Sequence, residues 1–229
     1  MREQRERLFA APVVVALGTL LLAPAARGDL INITADIEAG IGSVGAFTGT
    51  IEYNFDALKA RGNLEISLVN TTPGPNSGFL TGFVFNINSG DPGASASLTF
   101  TSFDAFEDTG TEPAPPFGDY DAGAAVGGDW TGGGDPHLGI AGGQTGVFRF
   151  NVQASDASSL SAMSFITGPL EHNFVVRFKG FNGGGSNKLP ATVIPNTGSI
   201  SLLAIAGLLV TTRRRGLLGR ASPAPASVL

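Results

Sequence analysis

Between Phe47 and Lys179 apolar and polar residues alternate with a period of two. Phe47, Gly49, Ile51, Tyr53 and Phe55 fall on one side; Thr48, Thr50, Glu52 and Asn54 fall on the other. Leu64, Ile66 and Leu68 alternate with Glu65, Ser67 and Val69. Phe83, Phe85 and Ile87 make a further inward set, followed by Leu98 with Phe100, by Phe148, Phe150 and Val152, and by Phe174, Val176 and Phe178 against Val175, Arg177 and Lys179. Successive strand side chains point to opposite faces, so such runs predict half-buried strands. Turn formers separate them: Thr72 to Asn76, Asn88 to Gly93 and Asn182 to Gly185. One short helical turn is predicted over Ser155 to Met163, capped by Ser155 or Asp156. The body holds no longer amphipathic helix and no internal repeat. These elements predict an all-β fold, a single antiparallel β-sandwich, jelly-roll-like as first choice and immunoglobulin-like as second.

One stretch breaks the rhythm. Asp104 to Gly146 carries Pro113, Pro115 and Pro116, many glycines and the only Trp, together with eight of the body's 17 acidic residues. A loop of that length is either functional or disordered, so a site is sought there first. Asp119 and Asp121 place two carboxylates on alternate positions before Gly123, which makes them candidate Ca²⁺ ligands. Tyr120 and Trp130 are candidates for an aromatic platform under a sugar ring.

The ends differ from the body. Arg2, Arg5 and Arg7 precede an apolar run from Leu8 to Leu22, and small residues follow from Ala23 to Gly28. That order predicts a secretory signal peptide over residues 1–28, removed by signal peptidase after Gly28, with Ala25 the alternative. At the other end Val193 to Gly198 form a Pro/Gly hinge, Ser199 to Thr212 form an uncharged apolar run, and Arg213, Arg214 and Arg215 close it. As a helix, Gly198 to Thr212 spans about 22 Å against a hydrocarbon core of about 30 Å. Arginines after the run stay cytoplasmic, so the segment is expected to hold the chain in the membrane with its body outside. The predicted layout is a signal peptide (1–28), a β-sandwich (29–190), a sorting segment (191–215) and a cytoplasmic tail (216–229).

The C-terminal pattern resembles the PEP-CTERM sorting signal of exosortase substrates. The matching residues are Pro195, the run Leu202 to Leu209, and Arg213 to Arg215. Asn196 stands where that family has Glu, Thr197 stands at the second Pro, and 14 residues follow the arginines. The body adds to the likeness: Phe174 to Lys188, Leu68 to Thr72 and Gly82 to Ile87 look like parts of exported PEP-CTERM proteins, which carry no assigned activity. Ile194-Pro195-Asn196-Thr197-Gly198 is also similar to the LPXTG motif of sortase substrates. A simple tail anchor is a third account of the same segment. The first resemblance implies an exported, surface- or matrix-associated structural protein processed by an exosortase-type enzyme. The alternatives are a carbohydrate- or Ca²⁺-binding surface module and a sortase-anchored wall protein, with extracellular polysaccharide as a candidate partner.

Composition narrows the remaining classes. The chain has no Cys, so no disulfide supports the fold. Residues 29–194 carry 17 Asp and Glu against 6 Lys and Arg, a net charge of −11 that argues against nucleic acid as a partner. His137 and His172 are the only histidines, and no G-x-S-x-G elbow accompanies them. Gly132 to Gly134 and Gly183 to Gly185 lack the Lys-Ser/Thr of a phosphate loop. No catalytic residue is assigned, and the expectation is a protein that is not an enzyme.

Overall fold

The computed structural model describes residues 28–40, 44–74, 76–131 and 134–195. The fold is all-β and antiparallel. Its strands are β1 (Asp29–Ala35), β2 (Phe47–Asp56), β3 (Arg61–Asn70), β4 (Ser77–Phe85), β5 (Ser95–Thr101), β6 (Phe106–Asp108), β7 (Glu112–Pro113), β8 (Asp119–Tyr120), β9 (Ala122–Val126), β10 (Thr145–Gln153), β11 (Phe174–Phe181) and β12 (Ser186–Ile194). Ten of them form one sheet in the order β5-β10-β3-β2-β1-β12-β11-β4-β9-β6, and β7 with β8 forms a separate hairpin. The sheet curls over on itself as a sandwich, and β5 closes on β6 and β9.

Strand β12 makes the corner. Ser186 to Pro190 pair with β11, whereas Ala191 to Ile194 pair with β1. Pro190 sits at the switch, where the missing N–H costs the ladder least. Its carbonyl accepts from the Asp36 amide at 2.8 Å. The strand runs to Ile194, four residues past the boundary expected at 190. Among the described residues no helix is long and apolar enough to cross a membrane; the apolar run at 199–212 lies outside them.

The core fills the fold between the two layers. Phe83, Phe85 and Phe174 from one layer meet Phe148 and Phe150 from the other, with Phe83 edge-on to Phe148 at 4.8 Å and Phe85 edge-on to Phe150 at 5.2 Å. Tilted and edge-to-face pairs of this kind satisfy the ring quadrupoles while burying large apolar areas. Strand β3 alternates perfectly between buried and half-exposed positions, as its sequence predicts.

Two bulges shift the predicted alternation. Between β5 and β10 the register passes from Arg149 opposite Phe100 to Phe150 opposite Leu98, leaving Thr99 as the extra residue. Leu98 therefore turns toward the core while Phe100 turns out and is 43% exposed. A second bulge at Thr81 in β4 brings both Leu80 and Phe83 inward, three positions apart. An extra residue reverses the side-chain phase beyond it, which period two alone does not reveal.

The predicted helical turn near Ser155 is two 3-10 turns, Ala157–Ser159 and Ala162–Phe165. Asp156 occupies the cap position of the first without bonding to it; Ser161 and Ser164 form a reciprocal capping box on the second. The stretch from Asp104 to Gly146 is likewise not one loop. It supplies β6 to β9, a 3-10 turn at Pro136–Leu138 and the start of β10.

Candidate functional site

That stretch folds across the outer face of the β11–β4–β9 layer. It buries Ala114, Tyr120 and Trp130 on Val84 and Val175, with Phe117 and Leu170 packed at the edge. Tyr120 is 0% and Trp130 1% exposed, so neither ring offers a face to a sugar. The sequence was right to bring the two aromatics together, but they form a second core rather than a surface platform. The Tyr120 hydroxyl donates to the His172 carbonyl at 2.6 Å, and burial pushes its phenol pKa up. Only the covered surface separates a platform from a packed core, and no local signal in the sequence reports it.

Asp119 and Asp121 flank buried Tyr120 and remain exposed. Asp119 lies opposite Pro113 in the β7–β8 hairpin. The Asp121 carboxylate accepts from the Ile87 amide at 2.8 Å, and its own amide donates to the Asn86 side chain at 3.1 Å. Asp121 thus ties the hairpin to the end of β4. Ca²⁺ takes six to eight oxygens. This pair supplies two carboxylates, one already engaged, and among the described residues no group of three His, Cys, Asp or Glu stands together. The pair does not fit a Ca²⁺ site.

Pro195 is exposed directly after β12. Asn196, Thr197, Gly198 and Arg213 to Arg215 lie outside the described residues. The two ends of the body do meet in space. Asn32 of β1 pairs with Ile194 of β12 in antiparallel register, so Asp29 and Pro195 leave the sandwich at the same end.

The concave polar surface lies on the other layer. Asn54 of β2 pairs with Asn63 of β3, and Asn63 pairs with Asn151 of β10, so three amides stand in one row across three strands. The next row along the strands is Glu52, Glu65 and Arg149, in the same register. These side chains, with Arg61 and Thr99, line a half-open groove of about 440 Å³. Arg149 Nε donates to Glu65 Oε2 at 2.7 Å, and its guanidinium lies over the exposed Phe100 ring at 4.7 Å. The bulge at Thr99 turns Phe100 to this face. Arg61 Nε is buried here without a hydrogen-bond partner. A second hollow, lined by Asn32, Thr48, Thr50, Ser67 and Val69 among others, continues along the same face. From Thr48 to Asn54 the strand advances roughly 20 Å.

The alternation places Asn54, Glu52 and Glu65 on outward strand positions, yet none was singled out. Alternation reports the face; it does not report that Asn54, Asn63 and Asn151 share one row, because register depends on pairing across the 87 residues that lie between Asn63 and Asn151. No family model matches the chain, and no curated protein or solved structure matches it either.

Proposed function

We propose that the protein is an exported, non-enzymatic surface protein that holds extracellular polysaccharide in the groove across β2, β3, β10 and β5. The observation that carries this reading is the row of Asn54, Asn63 and Asn151 beside the row of Glu52, Glu65 and Arg149. Each amide offers two donors and an acceptor, which complements sugar hydroxyls that both donate and accept. Adjacent strands stand about 4.8 Å apart, so the amides repeat at close, regular intervals along one line. Phe100, turned outward beneath Arg149, adds an aromatic edge to the groove. Glu65 is held in an ion pair with Arg149, which suits a positioning role better than proton transfer.

The ends supply the route in this reading. Signal peptidase removes residues 1–28, and the 191–215 segment holds the precursor in the membrane until an exosortase-type enzyme processes it. Support comes from the body: β1 begins at Asp29, and both termini leave at one end, so one membrane can hold either. The test is electrophoresis of the purified protein through gels cast with extracellular polysaccharide. Retardation is expected; mobility equal to that in plain gels contradicts the reading.

A further inference from the structure

Strand β12 runs toward the turn between β2 and β3, and the chain leaves it in that direction. Ile194 pairs with Asn32, and Asn32 pairs with Thr50, so the C-terminal exit stands level with Thr50. Strand β2 continues beyond that level to Asp56, which pairs with Arg61 across the exposed turn Ala57 to Ala60. The six residue steps from Thr50 to Asp56 advance about 20 Å. The chain enters at Asp29, opposite Tyr53, which also lies behind the turn. Of β1, β2, β3 and β12, the β2–β3 turn therefore projects furthest at this end.

The turn holds one apolar side chain outward. Asp56 Oδ1 accepts from the Leu58 and Lys59 amides at 3.0 and 3.2 Å, and Lys59 Nζ pairs with Asp56 Oδ2 at 3.0 Å. Ala60 closes the turn at φ +49°, a conformation uncommon for a residue other than Gly. Leu58 is 99% exposed at the apex, packed on nothing among the described residues. Met163 is exposed near it, on the 3-10 turn whose Ala162 amide donates to Asp29 at 3.0 Å, and Leu30 is exposed beside Asp29. One exposed Leu on a surface needs no explanation. The position of this one, relative to the apolar run at 199–212, gives it a use.

Five residue steps separate Ile194 from Ser199, where that uncharged run begins. Fully extended, they span at most about 18 Å. The tip thus reaches at least as far beyond the level of Ile194 as the connector does. A body whose C-terminal run is seated in lipid brings its β2–β3 turn to the same surface.

We propose that a lipid surface is the partner of this turn: Leu58 inserts among the acyl chains and Lys59 stands at headgroup level. Apolar side chains gain by leaving water there, and lysine keeps its charge in the wet interface. The membrane-held precursor then stands on the end that carries its termini. The proposal rests on the reading that residues 199–212 are held in the membrane.

The chain has no Cys, so one introduced thiol carries one label. Leu58→Cys, Leu138→Cys and Ile205→Cys are made singly in the full chain and labelled with an environment-sensitive fluorophore. Each is reconstituted into phosphatidylcholine vesicles, with and without lipid bearing a nitroxide on its acyl chain. Leu138 is 52% exposed at the other end of the sandwich, beside His137, which packs on Phe79 near the start of β12. Both body sites are exposed, so an unfolding midpoint equal to that of the wild type is expected and checks the fold. The Leu58 label should shift to the blue and be quenched by the nitroxide lipid severalfold more than the Leu138 label. The Ile205 label reports the anchoring itself. Quenching at Ile205 without quenching at Leu58 overturns this proposal and leaves the anchoring reading in place. No quenching at Ile205 removes that reading and this proposal with it. Equal quenching at Leu58 and Leu138, or a blue shift at Leu58 that nitroxide lipid does not quench, also overturns the proposal; the last result puts protein rather than lipid on the turn.

Discussion

Asp156 accepts from Ser89, side chain to side chain, across 67 residues of chain, and from the Gly90 amide at 2.8 Å. Asp91 reciprocates by accepting from the Ser155 amide at 2.6 Å. Two loops are thus clamped by two carboxylates. The Ser89 hydroxyl, then the Gly90 amide, lowers the Asp156 pKa; the Ser155 amide, then the Gly93 amide, lowers that of Asp91. A carboxyl whose folded pKa is depressed stabilises above its unfolded value, about 3.9, and loses that contribution as pH falls through the folded value. The melting temperature should therefore hold from pH 7 to about 5 and fall as the carboxyls protonate. Asp156→Asn should melt lower at pH 7 and lose less than the wild type between pH 5 and 3. Parallel melting curves for both proteins would remove this clamp from the account.

Tyr53 joins the sandwich to the first 3-10 turn. Its hydroxyl donates to the Ala157 carbonyl at 2.6 Å inside the core, and burial, followed by Asp156, pushes its pKa up to about 12. Tyr53→Phe keeps the ring and strands that carbonyl. The expected loss is about 1–3 kcal/mol, read from denaturant unfolding. Gly62→Ala should also destabilise, because a methyl there meets the Tyr53 ring.

Val175 and Val176 are adjacent on β11 and both 0% exposed. Val176 faces the main core, whereas Val175 lies under Tyr120 and Trp130. Val176→Asp buries an unpaired charge and should cost several kcal/mol, on the order of the whole stability margin of about 5–15 kcal/mol. Val175→Asp should be comparably damaging, although alternation alone assigns it to solvent. A near wild-type melt for Val175→Asp would mean that the Trp130 segment does not cover this face in solution.

Mature protein isolated from its source should begin near Asp29 or Ala26 and lack Arg213 to Leu229, as read by mass spectrometry. An intact C-terminus would favour a simple tail anchor over the sorting signal.

The strands were legible wherever one face is buried and the other wet. β2, β3 and β10 follow period two because solvent on the outer face demands polar residues there. The signal fails where both faces are covered. β9, Ala-Gly-Ala-Ala-Val, is buried throughout and carries no alternation. Its small residues reflect close approach: a methyl on Gly123 would strike the Phe83 carbonyl. Phe100 was misassigned because one added residue, Thr99, inverts the phase beyond it. Tyr120 and Trp130 were recognised as partners, but their burial depends on Val84 and Val175, which are distant in sequence. The amide row was hidden for a related reason: Asn63 and Asn151 become neighbours only through strand pairing.

The groove on β2, β3, β10 and β5 is the centre of the functional account, and binding to it can be measured directly. Asn54, Asn63 and Asn151 are outward residues, so their replacement by Ala should leave the melting temperature within a few degrees of the wild type. Arg149→Ala breaks an exposed ion pair with Glu65 worth about 1 kcal/mol or less. The measurement is isothermal titration calorimetry of wild type, triple Asn variant and Arg149→Ala with oligosaccharides released from the extracellular polysaccharide. The account predicts saturable binding by the wild type, weakened at least tenfold in Arg149→Ala and lost in the folded triple variant. Equal binding by wild type and triple variant, or none by the wild type, would contradict it.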